Sequence, residues 1–525
     1  MGAGLMGRDG TVSAFMDLGT NSIRLLVVRI NDNGSYTVLR KEKAFARLGE
    51  GAFQEGRLQE EAMDRALVIA CRFRDLALSY GADEVSAVAT SATRDAENRS
   101  EFLARLAEGG LDVRVVSGKE EARLIYLGVA GGALIEEKEV FFVDIGGGST
   151  EIIVGDQESY DYLDSLKVGA IRLSNLFFRP EEEGPVPEGR YALMTQYVRN
   201  AGLRTIQRLE GRRFNRTIGS SGTLVNLTEI ASRLTGSPHL SLADLKVLRA
   251  RLCSLDLRER RLLPGMNPER ADIIIAGAAI VETLMEALSL PPLEASPRGL
   301  QDGLLLDHLH RTRPEMVRGL SVRERSVLQL CRACSFDEPH ARHVQFLALS
   351  LFDGTRDLGL HPFGEAERDL LGHVALMHDL GLFLSFSNHH AHTAYIIENA
   401  ELLGFDEREL ASMATAAFFH RKKGPGRKHP LFARLDKAAR RTVRVLSLFL
   451  RLAESLDRSH SKAVTSIELR KERGKSLLLR LRTRRECDLE ILQLDGHRDD
   501  FADVLGLPFR VEAEIAEGVE GSEVA

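Results

Sequence analysis

The chain has 525 residues, 44% of them hydrophobic and 28% charged, with no Trp; at roughly 100–200 residues per domain this is material for about three or four domains, and it excludes a disordered, collagenous or coiled-coil protein. No apolar run reaches the roughly 18 uncharged residues of a membrane helix, and residues 1–10 lack the basic-then-apolar pattern of a signal peptide, so the sequence reads as cytoplasmic with no membrane contact. The formal charge of −6 gives no global attraction to nucleic acid, and the five scattered cysteines (71, 253, 331, 334, 487) fit neither a disulfide framework nor a two-pair zinc site.

In chain order, the first element is an apolar strand ending in Phe15-Met16-Asp17-Leu18-Gly19-Thr20-Asn21-Ser22 and running into the apolar Ile23 to Ile30. Helical periodicity follows over Glu60 to Tyr80, then a strand at Val85 to Ala89. The opening pattern then returns: Phe142-Val143-Asp144-Ile145-Gly146-Gly147-Gly148-Ser149, running into Ile152 to Val154, repeats Asp, Gly and Ser at an offset of 127 residues. Each copy reads as a β-hairpin with backbone amides at its tip, so two similar α/β domains facing each other are implied. A helix is expected over Leu193 to Leu209, and a further Gly-rich turn, Ile218 to Thr223, precedes a helix at Leu224 to Leu234, the arrangement that leaves helix N-terminal amides free for an anion. Beyond the Arg-rich joint at residues 310–325 the pattern becomes all-helical to about residue 460; β alternation then returns over Ile467 to Arg470, Ser476 to Leu481 and Asp488 to Leu492, ahead of an acidic tail.

A carboxylate at the end of a buried strand beside a Gly-rich hairpin suits Mg²⁺-assisted phosphoryl chemistry: the carboxylate holds the ion or its waters, and the amides hold phosphate oxygens. One such turn is weak evidence, because Gly-rich turns after strands are common. Two in register, each with Asp and Ser, are a sharper signal. Together with Ala89-Thr90-Ser91-Ala92-Thr93-Arg94, Ser117-Gly118-Lys119-Glu120-Glu121-Ala122-Arg123-Leu124, Gly219-Ser220-Ser221-Gly222-Thr223 and Pro297-Arg298-Gly299-Leu300-Gln301-Asp302-Gly303, they give residues 12 to about 310 a sequence that resembles the exopolyphosphatase and guanosine pentaphosphate phosphohydrolase (Ppx/GppA) family, a branch of the acetate and sugar kinase, Hsp70 and actin superfamily.

The resemblance implies an α/β fold of two actin-like (ribonuclease H-like) domains, 11–131 and 132–310, followed by a helical domain at 320–462 and a small β-rich region at 463–525. It also implies hydrolysis of terminal phosphoanhydride bonds of polyphosphate, or of guanosine pentaphosphate, in the cleft between the first two. Water attack on a phosphorus already ringed by negative oxygens needs charge neutralisation and a base. Asp144 is the expected ligand of Mg²⁺ (or Mn²⁺), with Asp17 acting through a water. Glu121 is the expected general base and Glu120 its reserve. Phosphate is expected to meet Arg94, Asp17, Gly19, Thr20, Asn21, Ser22, Gly146, Gly147, Gly148, Ser149, Gly219 and Ser220. Ordinary structural roles stand beside these: Glu120 and Glu121 as an exposed helix start, Arg94 in an ion pair with Asp95, Asp17 capping its own turn. Glu151 is either a supporting partner of the site or an exposed strand residue.

Ten of the fifteen histidines fall between residues 340 and 429. The order His340, His378-Asp379, Asp457 resembles the metal signature of the HD phosphohydrolase superfamily, which implies a possible divalent metal there, with His390, His392 and His420 as candidates to extend the set. In long members of the family the related domain is associated with binding polyphosphate and with homodimer assembly. A basic run fits that role: ten Lys or Arg between Arg421 and Arg444 against one acid, Asp436. It favours polyphosphate over the pentaphosphate. The rival readings are an ATP-dependent kinase, a regulator that binds guanosine tetra- or pentaphosphate without turnover, and independent phosphoester hydrolysis by the helical domain.

Overall fold

The structure, a computed structural model, describes residues 10–515 apart from 180, 318, 401, 422, 423, 427 and 473–475. The acidic tail, residues 1–9, and Lys422, Lys423 and Arg427 of the basic run therefore lie outside the described residues. The chain divides into two compact units, residues 1–319 and 320–525.

Unit 1 contains two five-stranded sheets. The first comprises β1 (Gly10–Leu18), β2 (Ser22–Asn31), β3 (Tyr36–Phe45), β4 (Glu84–Ala89) and β5 (Val113–Val115), in the order β3-β2-β1-β4-β5. The second comprises β6 (Val140–Ile145), β7 (Thr150–Gly155), β8 (Tyr160–Leu166), β9 (Arg216–Ser220) and β10 (Leu293–Ala295), in the order β8-β7-β6-β9-β10. In both, the first three strands form an antiparallel meander and the last two join parallel to the first. The short motif repeated in the sequence thus marks a repeat of the whole sheet. Hairpin register agrees residue for residue: Leu18 pairs with Ile23 in one, Ile145 with Thr150 in the other. Parallel pairings need crossovers, and helices supply them. The ones that position the site are α1 (Glu60–Ser79), α2 (Gly118–Ala130), α3 (Ser221–Thr235), α4 (Ile274–Leu288) and α5 (Leu300–Thr312).

Helices α2 and α5 cross at backbone distance. A Cβ added at Gly303 would stand 1.8 Å from the Leu124 carbonyl oxygen, and one at Gly128 would stand 2.1 Å from that of Gly299. One apolar core gathers Phe15 and Val88 of the first sheet, Phe142 and Ile218 of the second, and Leu124, Leu300 and Leu304 of the two helices. The crossing therefore sits at the joint between the sheets, which is why α5, placed within 132–310 by the sequence, also packs on β1.

The expected helix over 193–209 is broken at Gly202, between Glu188–Ala201 and Leu203–Leu209. Helix α3 begins at Ser221, three residues earlier than its apolar periodicity suggests, so Gly219 and Ser220 end strand β9 and are not turn residues.

In unit 2, helices α6 (Val322–Ala333), α7 (Glu338–Asp357), α8 (Glu365–Met377), α9 (His389–Asn399), α10 (Glu407–Phe418) and α11 (Lys437–Leu456) pack with a sheet ordered β11 (Val464–Glu472), β12 (Ser476–Thr483), β13 (Phe509–Ile515). A single core runs from Val344 and Phe449 of the helices to Leu477, Leu479 and Phe509 of the sheet, so the strands at 463–515 do not form a core of their own. Residues Asp488 to Leu492, expected as a strand, lie in a helix, Asp488–Asp495. Strands β12 and β13 are parallel, so the segment joining them must cross over, and its buried residues, Glu490 and Leu494, stand at helical spacing. Cys331 of the lone CxxC is buried in α6, and its thiol is near the Leu376 carbonyl.

Candidate active site

The two hairpin tips meet. A Cβ at Gly147 would stand 2.9 Å from Thr20, and one at Gly148 would stand 2.6 Å from Ser91 Oγ. These glycines therefore allow the second hairpin to approach the first sheet, besides leaving their amides accessible. The tips close alike: the Gly19 amide donates to the Ser22 carbonyl at 3.1 Å, and the Gly146 amide to the Ser149 carbonyl at 3.0 Å. Between them is a cavity of about 290 Å³ lined by Asp17, Gly19, Thr20, Asn21, Ser22 and Arg24 of the first repeat and by Asp144 and Gly146 to Ser149 of the second. Glu121, Ser221 to Thr223, Arg270 and Pro297 to Leu300 complete its wall.

Register across the hairpins adds a pair of residues. Asp17 faces Arg24 and Asp144 faces Glu151, and 24 and 151 are separated by the same 127 residues as 17 and 144. The duplicated sites have diverged at this one position, with a cation in one copy and an acid in the other. Glu151 is 1% exposed; Ser165 Oγ donates to its Oε1 at 2.7 Å, while Oε2 is buried without a hydrogen bond. Burial, then the charges of Glu121 and Asp144, push its carboxyl well above the usual range. The open sequence alternative is resolved towards a buried residue beside the site.

Asp144 accepts from Ser220 Oγ at 2.5 Å. Burial raises its carboxyl, against that hydrogen bond and the charges of Arg24 and Arg270. Ser220 therefore orients an acid. Gly219 is a packing residue: a Cβ there would meet Leu224 and Leu293 side chains at 2.8 Å, and it does not line the cavity. The place expected for it is taken by Ser221 and Gly222. Ser221 holds a left-handed φ of 86°, a strained value for a residue other than glycine, at the start of α3. Gly222 lets the buried Arg270 guanidinium pass: a Cβ there would stand 2.1 Å from it.

Glu121 and Glu120 part company on α2, which Ser117 caps by accepting from the Glu120 amide. Glu121 is 7% exposed and faces the cavity. Burial pushes its carboxyl up to about 7, assisted by Asp17 and Asp144 and opposed by Arg94. Glu120 turns to Arg123, whose guanidinium holds its carboxyl below the usual range, and it stands outside the cavity lining. Arg94 donates to Glu121 Oε2 at 2.7 Å and to the Val116 carbonyl at 3.1 Å; it does not pair with Asp95, which binds Arg172 and Lys167. Arg172 also donates to the Gly148 carbonyl at 2.7 Å, tying the second hairpin tip to the first sheet's helix at Ser91–Asp95.

The donor set fits a hard divalent cation. Asp17, Glu121, Asp144 and Glu151 influence one another electrostatically, and Asp17 Oδ1 and Glu151 Oε2 are buried without hydrogen bonds. Carboxylate oxygens left in this way are what such an ion needs. The same feature has a cost in the metal-free protein. Burial raises Asp17 from 3.8 to about 6; a raised acid favours the fold fully below its unfolded pKa, and that contribution is lost as pH climbs through about 6. Asp17→Asn is therefore expected to stabilise the chelated protein at pH 8 by about 3 kcal/mol and to differ little from wild type at pH 5. Paired thermal melts in EDTA check this, and equal melting temperatures at pH 8 would refute it.

In unit 2, His340, His378 and Asp379 bring ligand atoms within 4.8 Å of one another. Asp457 is outside that group: it accepts from His340 Nδ1 at 2.8 Å and from the Lys462 amide at 2.7 Å, so it orients a histidine. Glu454, which the sequence reading missed, approaches His340 and His378 instead. Of the three extension candidates only His420 converges; His389 takes the place of His390 and His392. In the basic run, Arg434 pairs with Glu398 and Arg440 donates to the Phe432 carbonyl, so part of that charge serves local structure.

Two duplicated α/β domains with acids and phosphate-ready turns in a shared cleft define an actin-like phosphohydrolase. Comparison with known proteins agrees and is more specific. Residues 26–312 match the Ppx/GppA phosphatase family, and residues 322–495 match the Ppx/GppA phosphatase domain III; the chain belongs to this family and is a phosphoanhydride hydrolase. Among solved structures, an exopolyphosphatase from Cytophaga hutchinsonii is 29% identical with a TM-score of 0.54, over 58% of this chain and 99% of that one. An exopolyphosphatase-like protein is 27% identical with a TM-score of 0.52, over the same shares. No helix among the described residues is long and apolar enough to cross a membrane.

Proposed function

We propose that the chain is an exopolyphosphatase that removes the terminal phosphate of inorganic polyphosphate in the cleft of unit 1. The observation that carries this is the pairing of a raised, buried Glu121 with the two facing turns in one cavity. A general base works best with a pKa near the working pH, and Glu121 at about 7 meets that condition. In the step proposed, Glu121 accepts a proton from water as the water oxygen bonds to the terminal phosphorus. The P–O anhydride bond breaks, orthophosphate leaves, and the shortened chain keeps the bridging oxygen. Amides and hydroxyls of residues 19–22 and 146–149, with those of Ser221 and Gly222, orient the phosphate oxygens, and Arg24 and Arg270 offset their charge. Asp144 and Glu151 would hold Mg²⁺ or Mn²⁺, with Asp17 beside them; such an ion supplies charge neutralisation on the phosphate oxygens.

Polyphosphate is preferred over guanosine pentaphosphate because the cavity is small and lacks aromatic lining. At about 290 Å³ it falls at the lower edge of the roughly 300–1,000 Å³ of pockets that enclose a whole small ligand, which suits one end of a long anion. Among the lining residues none is Phe, Tyr or Trp to stack a base. Phosphate release from long-chain polyphosphate and from the pentaphosphate, side by side, is expected to give the larger kcat/KM for polyphosphate. Asp144→Ala should lower both by about 10²–10³-fold, the scale of losing one electrostatic contact to the reacting group. A larger kcat/KM for the pentaphosphate would reverse the assignment. For unit 2 the reading is an HD-like helical domain, supported by His340, His378 and Asp379 meeting between α7 and α8.

A further inference from the structure

Unit 2 contains a metal-ligating constellation larger than its sequence signature, and its chemistry is independent of the cleft. Four imidazoles come from four helices: His340 in the first turn of α7, His378 just past α8, His389 opening α9, and His420 just past α10. All are at most 3% exposed. Three share one local device. His378 Nδ1 donates to the Ala375 carbonyl at 2.8 Å, His389 Nδ1 to that of Phe386 at 3.0 Å, and His420 Nδ1 to that of Ala417 at 2.6 Å. Each is the carbonyl three residues back, and each fixes the tautomer that leaves Nε2 with a free lone pair. Arg421 stands farther from His389 Nδ1, at 3.5 Å.

The freed nitrogens converge on two oxygens of one carboxylate and on a second acid. His389 Nε2 and His420 Nε2 each stand 3.3 Å from Asp379 Oδ1. His378 Nε2 is 3.7 Å from Asp379 Oδ2 and 3.2 Å from Glu454 Oε2, and His340 Nε2 is 3.2 Å from the same Glu454 oxygen. The Nε2 atoms of His378, His389 and His420, and Asp379 Oδ1, are buried yet make no hydrogen bond. Lone pairs held 3.2–3.3 Å apart in a buried site repel unless a cation lies between them. That spacing is the one an ion imposes: ligands about 2.0–2.2 Å from a tetrahedral centre stand about 3.3 Å from one another.

We infer that Asp379 bridges two divalent transition-metal ions, one held with His340, His378 and Glu454, the other with His389 and His420. The imidazole-rich donor set selects Mn²⁺, Fe²⁺, Co²⁺ or Zn²⁺ over Mg²⁺, which takes oxygen ligands. Asp379 is the most exposed of these groups, its side chain 22% accessible, so the pair opens to solvent on that side.

The test uses the full chain, stripped with chelator, reloaded with Mn²⁺ in excess Mg²⁺ and gel-filtered. The metal content is expected to be two Mn per chain, with an exchange-coupled electron paramagnetic resonance signal; Asp144→Ala keeps both. His420→Ala is expected to retain one Mn with the coupling lost, and Asp379→Asn to lose both ions. Circular dichroism checks folding, and His389→Gln replaces His420→Ala if that variant unfolds. Wild type with one Mn or none, an uncoupled six-line spectrum, or a coupled pair surviving in both histidine variants would overturn the inference.

Discussion

Replacing Glu121 with Gln is expected to lower kcat for phosphate release by about 10²–10⁴-fold, the usual contribution of a general base, with KM changed little. The amide keeps the size and the burial of the carboxyl but cannot take a proton from water, so binding by residues 19–22 and 146–149 persists while the chemical step is lost. The pH profile gives a second reading of the same residue. The reactive form is the carboxylate, and burial holds Glu121 at about 7 in opposition to Arg94, so the rate should rise with pH through an acid limb. Removing the 2.7 Å donor in Arg94→Gln takes away a charge that stabilises the carboxylate. The limb should then move to higher pH. A profile that stays in place, or full turnover in Glu121→Gln, would assign the base elsewhere.

What the sequence made legible was whatever repeats or keeps a local period. The pair of Asp-Gly-Ser hairpins was visible at a fixed offset, and it announced two sheets because each tip is short and its glycines are required by the contact with Thr20 and Ser91. Arg24 and Glu151 carried the same offset signal, but as a difference between copies; a search for identity passes over them. Arg270 left almost no trace: its guanidinium reaches the site from a distant turn, and only the bare Gly222 beside it hints at the passage. Likewise Glu454 and Asp457 stand one helical turn apart at the end of α11, and only the fold decides which faces His378 and which turns back to His340 Nδ1. The segment at 488–492 failed for another reason: alternation in five residues is compatible with strand or helix, and a long-range demand, the crossover between β12 and β13, decided it.

Gly303→Ala is expected to destabilise unit 1 by about 1–3 kcal/mol or more, opposite in sign to what its helix alone dictates. Within an isolated helix the change would favour folding by nearly 1 kcal/mol, since Gly is the poorer helix former. Here the new methyl carbon would stand 1.8 Å from the Leu124 carbonyl oxygen, where carbon contacts are comfortable only at about 3.5–4.0 Å. Helices α2 and α5 must separate, and backbone on both sides has no side chain to yield. The separation reaches the chemistry because α2 carries Glu121 and the residues just ahead of α5, Pro297 to Gly299, line the cavity. A lowered kcat is expected together with the lowered melting temperature. Gly189→Ala is the control: it lies in a helix of the same unit with open space where a Cβ would go, and it should be neutral or slightly stabilising. Calorimetric melts of the two variants decide the matter: if Gly303→Ala melts at or above wild type, the close crossing of α2 and α5 is not what joins the two sheets.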